Sequence, residues 1–220
     1  MGDKKRGSIS KPKLKAVLEN EHLWPMVRVY AIDEMKPTVA EIKKRHHNDI
    51  IRKSLVNHSI IRTVSIFEIY LLNQAHRLAR NDPNKTKSLF SDIKINETLE
   101  NQLISTYSFT KLSDINNVFS NFIDGDFLTE IKKESIDYAS DYWYEVEHMP
   151  YTKPLHKNWN EFIKIFEIRH DIIHHNKLVN FEYTYLRNLL GNTMQFLMCA
   201  SGIVPNIPPY ASEQEEMEYS

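Results

Sequence analysis

One short segment concentrates side chains that exchange protons and bind phosphate. Residues 166–176 read FEIRHDIIHHN and contain one arginine, one aspartate and three histidines: Arg169, His170, Asp171, His174 and His175. Histidine exchanges protons near neutral pH because its ordinary pKa is about 6.5, whereas arginine stays charged and binds phosphate through its planar guanidinium. The segment therefore predicts either a metal site or acid–base chemistry on a phosphate ester.

Both metal-dependent interpretations of this segment are incomplete. His170 and His174 have the i, i+4 spacing of a zinc-binding helix, but HDIIH carries Asp171 where the HExxH motif carries a glutamate, and Cys199 is the only cysteine. The pair His170-Asp171 resembles the HD phosphohydrolases, yet no aspartate follows Asp171 to complete their metal site. We therefore predict a site that contains no metal and needs no cofactor.

RNA cleavage without metal is the chemistry that these residue types can complete. The RNA supplies its own nucleophile, the 2′-hydroxyl, so the protein needs only a base, an acid and a positive charge. A neutral imidazole can accept the 2′-hydroxyl proton, an imidazolium can donate to the 5′-oxygen, and a guanidinium can stabilise the phosphate. We assign proton transfer to His174, its support to His170, and phosphate binding to Arg169.

The elements that position these residues are predicted to be helices. The chain has only five glycines, and three long stretches lack both glycine and proline: 38–82, 84–124 and 155–190. The spacing of apolar residues predicts helices at about 38–53, 54–80, 96–106, 112–124, 126–140, 157–178 and 181–199. Asn158 and Glu161 resemble a capping box at the start of the 157–178 helix. The fold class is therefore predicted to be all-α.

The candidate residues do not all lie on one side of their predicted helix. On a helical wheel, Arg169 lies near the centre of the apolar arc. His170 and His174 share one edge of that arc, whereas Asp171 and His175 lie on the far side and are assigned supporting roles. The segment therefore has two faces.

A charge at the centre of an apolar arc needs a partner, because arginine cannot escape burial by losing its proton. Glu68 lies at the centre of the apolar arc of the 54–80 helix. We therefore predict an ion pair between Glu68 and Arg169, either buried in the core or lining a groove at a subunit interface.

The stretch RHDIIH, from Arg169 to His174, resembles the Rx4-6H motif of HEPN domains (higher eukaryotes and prokaryotes nucleotide-binding). Together with VSIFEIYL at 64–71, the chain is most similar to the RiboL-PSP-HEPN branch over about 50–200. The resemblance implies an up-and-down helical bundle that forms a homodimer, in which two motifs meet in one cleft and cut RNA to a 2′,3′-cyclic phosphate. His175 stands where a basic residue is expected.

The resemblance also implies a biological role and an alternative to catalysis. Relatives often act as toxins or in antiphage defence, which implies an antitoxin protein as a partner. A HEPN module that binds nucleotide, RNA or a protein without cutting is the alternative, since a fold does not fix an activity.

Two other segments are candidate RNA contacts. A basic run that can bind phosphates is formed by Lys43, Lys44, Arg45, His46 and His47. Aromatic rings that can stack on unpaired bases are supplied by Tyr142, Trp143, Tyr144 and Tyr151. A solvated helix face and a loop pinned to the bundle are the respective structural alternatives.

Length and charge limit the remaining possibilities. With 220 residues and 41% hydrophobic side chains, the chain can bury one core, and we predict a single domain over 1–220 with its core at about 38–200. A basic beginning and an acidic end are expected to be loose. The net charge is −1, so RNA would have to bind a local patch. No run of about 18 apolar residues occurs, which predicts a cytoplasmic protein with no membrane contact.

Overall fold

The computed structural model of the chain describes residues 27, 29–94, 97–141 and 154–204. Three predicted features lie outside these residues: the basic beginning, the aromatic stretch with Trp143, and the acidic tail. Within the described residues the secondary structure is helical and contains no strand. The predicted all-α class is therefore confirmed, and the helices pack on one another as a bundle.

The helices follow one another with short connections. A π-helical turn at Tyr30–Met35 continues directly into α1 (Lys36–Lys44). The following α-helices are α2 (Ile50–Asn81), α3 (Pro83–Ser88), α4 (Leu99–Thr106), α5 (Leu112–Ser120), α6 (Phe127–Asp141), α7 (Trp159–Phe162), α8 (Lys164–His175) and α9 (Tyr183–Ile203). A 3-10 turn at Leu155–Lys157 precedes α7.

The long helix α2 is the centre of the bundle, and α1, α4, α8 and α9 all pack against it. Its Phe67 is fully buried, with ring centroids 5.2 Å from Phe166 of α8 and 5.1 Å from Phe196 of α9. Aromatic rings at such distances attract one another through their edges and faces as well as through burial. These contacts fix α8, which carries the candidate residues, against the middle of α2.

The boundary between α1 and α2 differs from the prediction of helices at 38–53 and 54–80. Arg45 leaves the helical conformation with φ −89° and ψ 148°, and α2 begins at Ile50. The Asp49 side chain accepts a hydrogen bond from the backbone N–H of Ile51 at 2.8 Å, as is typical of an aspartate that caps a helix. This cap therefore sets where α2 begins. The spacing of apolar residues does not reveal such a cap.

The helix predicted at 157–178 is shorter and interrupted. It divides at Ile163 into α7 and α8, and α8 ends at Asn176, whose φ of 51° is left-handed. Asparagine tolerates this conformation better than most residues, which makes it a suitable helix end. The candidate histidines therefore occupy the last turn and a half of α8.

The predicted capping box at the start of α7 is wrong. The Asn158 side chain makes no capping hydrogen bond, and its Nδ2 instead donates to Oδ1 of Asn192 of α9 at 2.6 Å. Glu161 pairs with Lys164 at 2.8 Å. Asn158 is buried, so its amide is satisfied across the core and is not available to the helix end.

By length and composition, α2 alone among the described residues could cross a membrane. Within its most apolar window, 56% of the residues are buried inside the bundle. The central helix of a packed bundle meets the same criteria, so this finding carries little weight.

Candidate active site

Arg169 of α8 lies beside Glu68 of α2, at the line where the two helices meet. Nη2 of Arg169 is 3.9 Å from Oε2 of Glu68, and the two side chains are 26% and 37% exposed. The pairing that the two apolar arcs predict is present, and of the two predicted settings the pair is partly open to solvent and not buried in the core. Ile173, one turn beyond Arg169, is 43% exposed although the adjacent Ile172 is buried, so the Ile173 edge of the apolar arc of α8 is open to solvent.

The Arg169 guanidinium is only partly satisfied by its surroundings. Its Nε is buried and has no hydrogen-bond partner. Leaving a buried donor without an acceptor costs about 1–3 kcal/mol, and such groups in native proteins call for an explanation.

His170 and His174 form a pair of imidazoles on the open side of α8. Their ring centroids are 4.4 Å apart, with 38° between the ring planes, and both side chains are exposed. Residues four apart on a helix lie one above the other, which explains the close approach of the rings. Both rings can therefore reach a ligand that lies along this side of α8.

His175 lies closer to this pair than its position on the helical wheel indicates. Its ring centroid is 5.8 Å from that of His170, with the planes nearly perpendicular at 81°. The three imidazoles therefore form a continuous group with His170 in the middle.

Asp171 connects the end of α8 to the residues that follow it. Its Oδ1 lies 3.3 Å from Nδ1 of His175, and its Oδ2 accepts a hydrogen bond from Nζ of Lys177 at 2.9 Å. The hydrogen bond from Lys177 is the main reason that the pKa of the Asp171 carboxyl lies below its ordinary value, and His175 acts in the same direction. Asp171 is therefore ionised at neutral pH.

Two side chains of α2 that the sequence analysis missed hold the segment between α8 and α9. Asn57 donates from Nδ2 to the carbonyl of Lys177 at 2.8 Å, and its Oδ1 accepts from the N–H of Val179 at 3.0 Å. Arg52, only 4% exposed, donates from Nη2 to the carbonyl of Phe181 at 2.7 Å. These bonds hold the segment that follows α8. The available signal was a charged residue, Arg52, on the mostly apolar buried side of α2.

The residues of the basic run predicted to bind RNA make different contacts within the chain. Arg45 lies between Glu41 at 2.9 Å and Asp49 at 3.1 Å, so its charge is already compensated. The ammonium of Lys43 lies 5.2 Å from the ring centroid of Tyr183, while Lys44 is exposed. The run precedes α2, and the carbonyl of its His47 accepts a hydrogen bond at 2.7 Å from Nδ2 of Asn180, in the segment after α8. The run therefore lies against the segment that follows the candidate histidines.

Across the described residues, no three histidine, cysteine, aspartate or glutamate side chains are grouped so that they could hold a metal ion. Comparisons of the chain with known protein families, curated proteins and solved structures find no match. The resemblance to HEPN domains therefore rests on the motif and its place in the chain.

Proposed function

We propose that the chain is a metal-independent endoribonuclease of HEPN type. The observation that carries the proposal is the combination on α8 of a partly exposed guanidinium, Arg169, with two exposed imidazoles, His170 and His174, whose rings lie 4.4 Å apart. A positive charge and histidines that exchange protons near pH 7 are the groups that this reaction needs. Arg169 is the phosphate-binding residue.

The reaction follows from these groups and from the RNA. Neutral His174 accepts the proton of the 2′-hydroxyl while the 2′-oxygen attacks phosphorus, and Arg169 stabilises the charge on the non-bridging oxygens. The phosphorus–5′-oxygen bond breaks while an imidazolium donates a proton to the 5′-oxygen, leaving a 2′,3′-cyclic phosphate and a 5′-hydroxyl. His170 supports His174 through their ring contact, and Glu68 holds the Arg169 guanidinium near the surface.

A homodimer fits the surface around these residues. Ile173, one turn beyond Arg169 on α8, is 43% exposed, and Leu178, three residues after the end of α8, is 51% exposed. Apolar side chains exposed beside charged ones are common where a second chain docks. In a symmetric dimer, residues near the two-fold axis meet their own copies, which would bring two motifs into one cleft.

The decisive experiment uses purified protein, mixed RNA and EDTA. We expect cleavage in EDTA with 2′,3′-cyclic phosphate and 5′-hydroxyl ends. His174→Ala should reduce the rate by about 10²-fold or more, as is typical for an acid–base group. His58→Ala, which removes an exposed histidine of α2, is the matched control and should cleave normally. Equal cleavage by folded His174→Ala and wild type would refute the assignment of His174.

One observation favours the alternative, a HEPN module that binds nucleotide, RNA or protein without cutting. Glu68 lies within 3.9 Å of Arg169 and competes with a phosphate for its guanidinium. RNA binding without any cleavage, in EDTA or in metal-containing buffer, would support this function. A role in toxin–antitoxin or antiphage defence, with an antitoxin partner, predicts toxicity on expression that His174→Ala abolishes.

A further inference from the structure

We propose that His175 is a second proton-transfer residue of this site, that Asp171 is its positioning residue, and that one chain therefore carries both the acid and the base. The inference rests on the proposed function. It starts from two distances: Nδ1 of His175 lies 3.3 Å from Oδ1 of Asp171, and the His175 ring lies 5.8 Å from that of His170.

The Asp171 contact determines which nitrogen of His175 faces the solvent. A carboxylate accepts a hydrogen bond, so it favours the tautomer that carries a proton on Nδ1 and leaves Nε2 free to exchange protons. The His175 side chain is 63% exposed, which leaves Nε2 accessible to a substrate. Lys177 donates to the other oxygen of Asp171 and keeps the carboxylate ionised.

The charged and titratable groups around His175 lie on α8 and directly after it. These are Asp171 and Lys177, together with the neighbouring imidazoles His170 and His174. Asp171 is therefore the acid that His175 contacts directly within the described residues.

With two imidazoles, each proton transfer in the reaction has its own donor or acceptor. Neutral His174 takes the 2′-hydroxyl proton as the bond between the 2′-oxygen and phosphorus forms. Protonated His175 gives its Nε2 proton to the 5′-oxygen as the phosphorus–5′-oxygen bond breaks. One proton is taken and one is given, with no change in oxidation state, and exchange with water restores both histidines.

This arrangement differs from one in which the acid and the base come from two copies of the chain. Both histidines lie at the end of the same helix, so each copy would hold a complete set. A dimer would then shape the cleft without supplying a missing proton donor.

The first test is the pH dependence of cleavage. Wild type should give a bell-shaped profile, because one histidine must be neutral and the other protonated. His175→Ala should cleave RNA about 10²-fold more slowly, and its rate should no longer fall at high pH. Asp171→Asn should lower the rate about tenfold or more, because a neutral side chain holds the His175 ring less firmly with Nε2 toward the substrate. Asp171→Glu should restore the rate, and His58→Ala should leave both the rate and the pH profile unchanged.

The second test needs no RNA. Long-range ¹⁵N–¹H spectra of the intact protein distinguish the two neutral tautomers of histidine. We expect His175 to carry its proton on Nδ1 in wild type and to lose this preference in Asp171→Asn. A His175 protonated on Nε2 in wild type would overturn the role of Asp171.

The outcomes separate this inference from the proposed function. Wild-type protein that cleaves no RNA overturns both. Wild-type protein that cleaves RNA, together with His175→Ala and Asp171→Asn variants that match its rate and pH profile, overturns the inference alone. Because both substitutions are at partly or fully exposed positions, circular dichroism of the variants checks that each remains folded.

Discussion

Glu68→Gln removes the negative charge beside Arg169 while keeping the size of the side chain, so it measures what this ion pair contributes to stability. Two charges 4 Å apart interact by about 4 kcal/mol near a protein surface and by about 1 kcal/mol in bulk water. Nη2 of Arg169 and Oε2 of Glu68 are 3.9 Å apart, and exposures of 26% and 37% place the pair toward the solvated limit. The net contribution should therefore be about 0.5–1 kcal/mol.

This magnitude differs from what burial would produce. Removing one member of a fully buried pair costs about 3–5 kcal/mol, because the remaining charge stays without a partner. Glu68→Gln should instead lower the melting temperature by only about 1–4 °C, since 1 kcal/mol corresponds to about 2–4 °C in a domain of 150–250 residues. The difference between variant and wild type should shrink in high salt, which screens exposed charges.

A matched control is available on the same helix. Arg62 of α2 donates from Nε and Nη2 to the two carboxylate oxygens of Glu34, at 3.0 and 3.1 Å, with side chains 40% and 44% exposed. These hydrogen bonds are the main reason that the pKa of Glu34 lies below its ordinary value. Glu34→Gln should therefore cost at least as much stability as Glu68→Gln, while leaving RNA cleavage unchanged.

Urea denaturation of wild type and both variants measures these differences directly. A loss of about 3 kcal/mol or more in Glu68→Gln alone would refute the argument from exposure and indicate that the pair is buried in solution. Under the proposed function, Glu68→Gln should also slow cleavage, because the Arg169 guanidinium loses the group that orients it. His174→Ala should slow cleavage at unchanged stability.

Three further predictions concern the framework. Asn57→Leu should cost about 1–3 kcal/mol and speed hydrogen exchange at Val179, because it removes two hydrogen bonds from the segment after α8; unchanged exchange would contradict this. Phe67→Ala should cost about 3–5 kcal/mol in urea denaturation, since its ring is fully buried against two helices. Burial raises the pKa of the Cys199 thiol to about 12, so a thiol-reactive disulfide should not modify native protein at pH 8 but should modify it once unfolded. Because this pKa is raised, the stabilisation from the neutral thiol is complete below its ordinary value and is lost as pH rises toward about 12.

The helical class followed from the sequence because glycine and proline are absent over long stretches, whereas the helix boundaries depended on single side chains. Asp49 caps α2 and moves the break between α1 and α2, and the left-handed Asn176 ends α8. The division of α7 from α8 at Ile163 has no comparable sequence signal. Periodicity predicts which residues share a face over several turns, but it does not indicate where a turn stops.

In the candidate site, too, the features that depend on one helix could be predicted from the sequence, whereas those that depend on neighbouring helices could not. The wheel of α8 correctly set Arg169 toward α2 and His170 beside His174, because these relations depend only on 100° per residue. It could not predict that Ile173 is exposed, which depends on what covers the last turn. Nor could it predict that Asn57 holds Lys177 across 120 positions of sequence. Arg169 is a buried structural charge if neighbouring residues cover the last turn of α8, and an accessible functional charge if they do not. The stability of Glu68→Gln distinguishes these cases, so it bears on function as well as on fold.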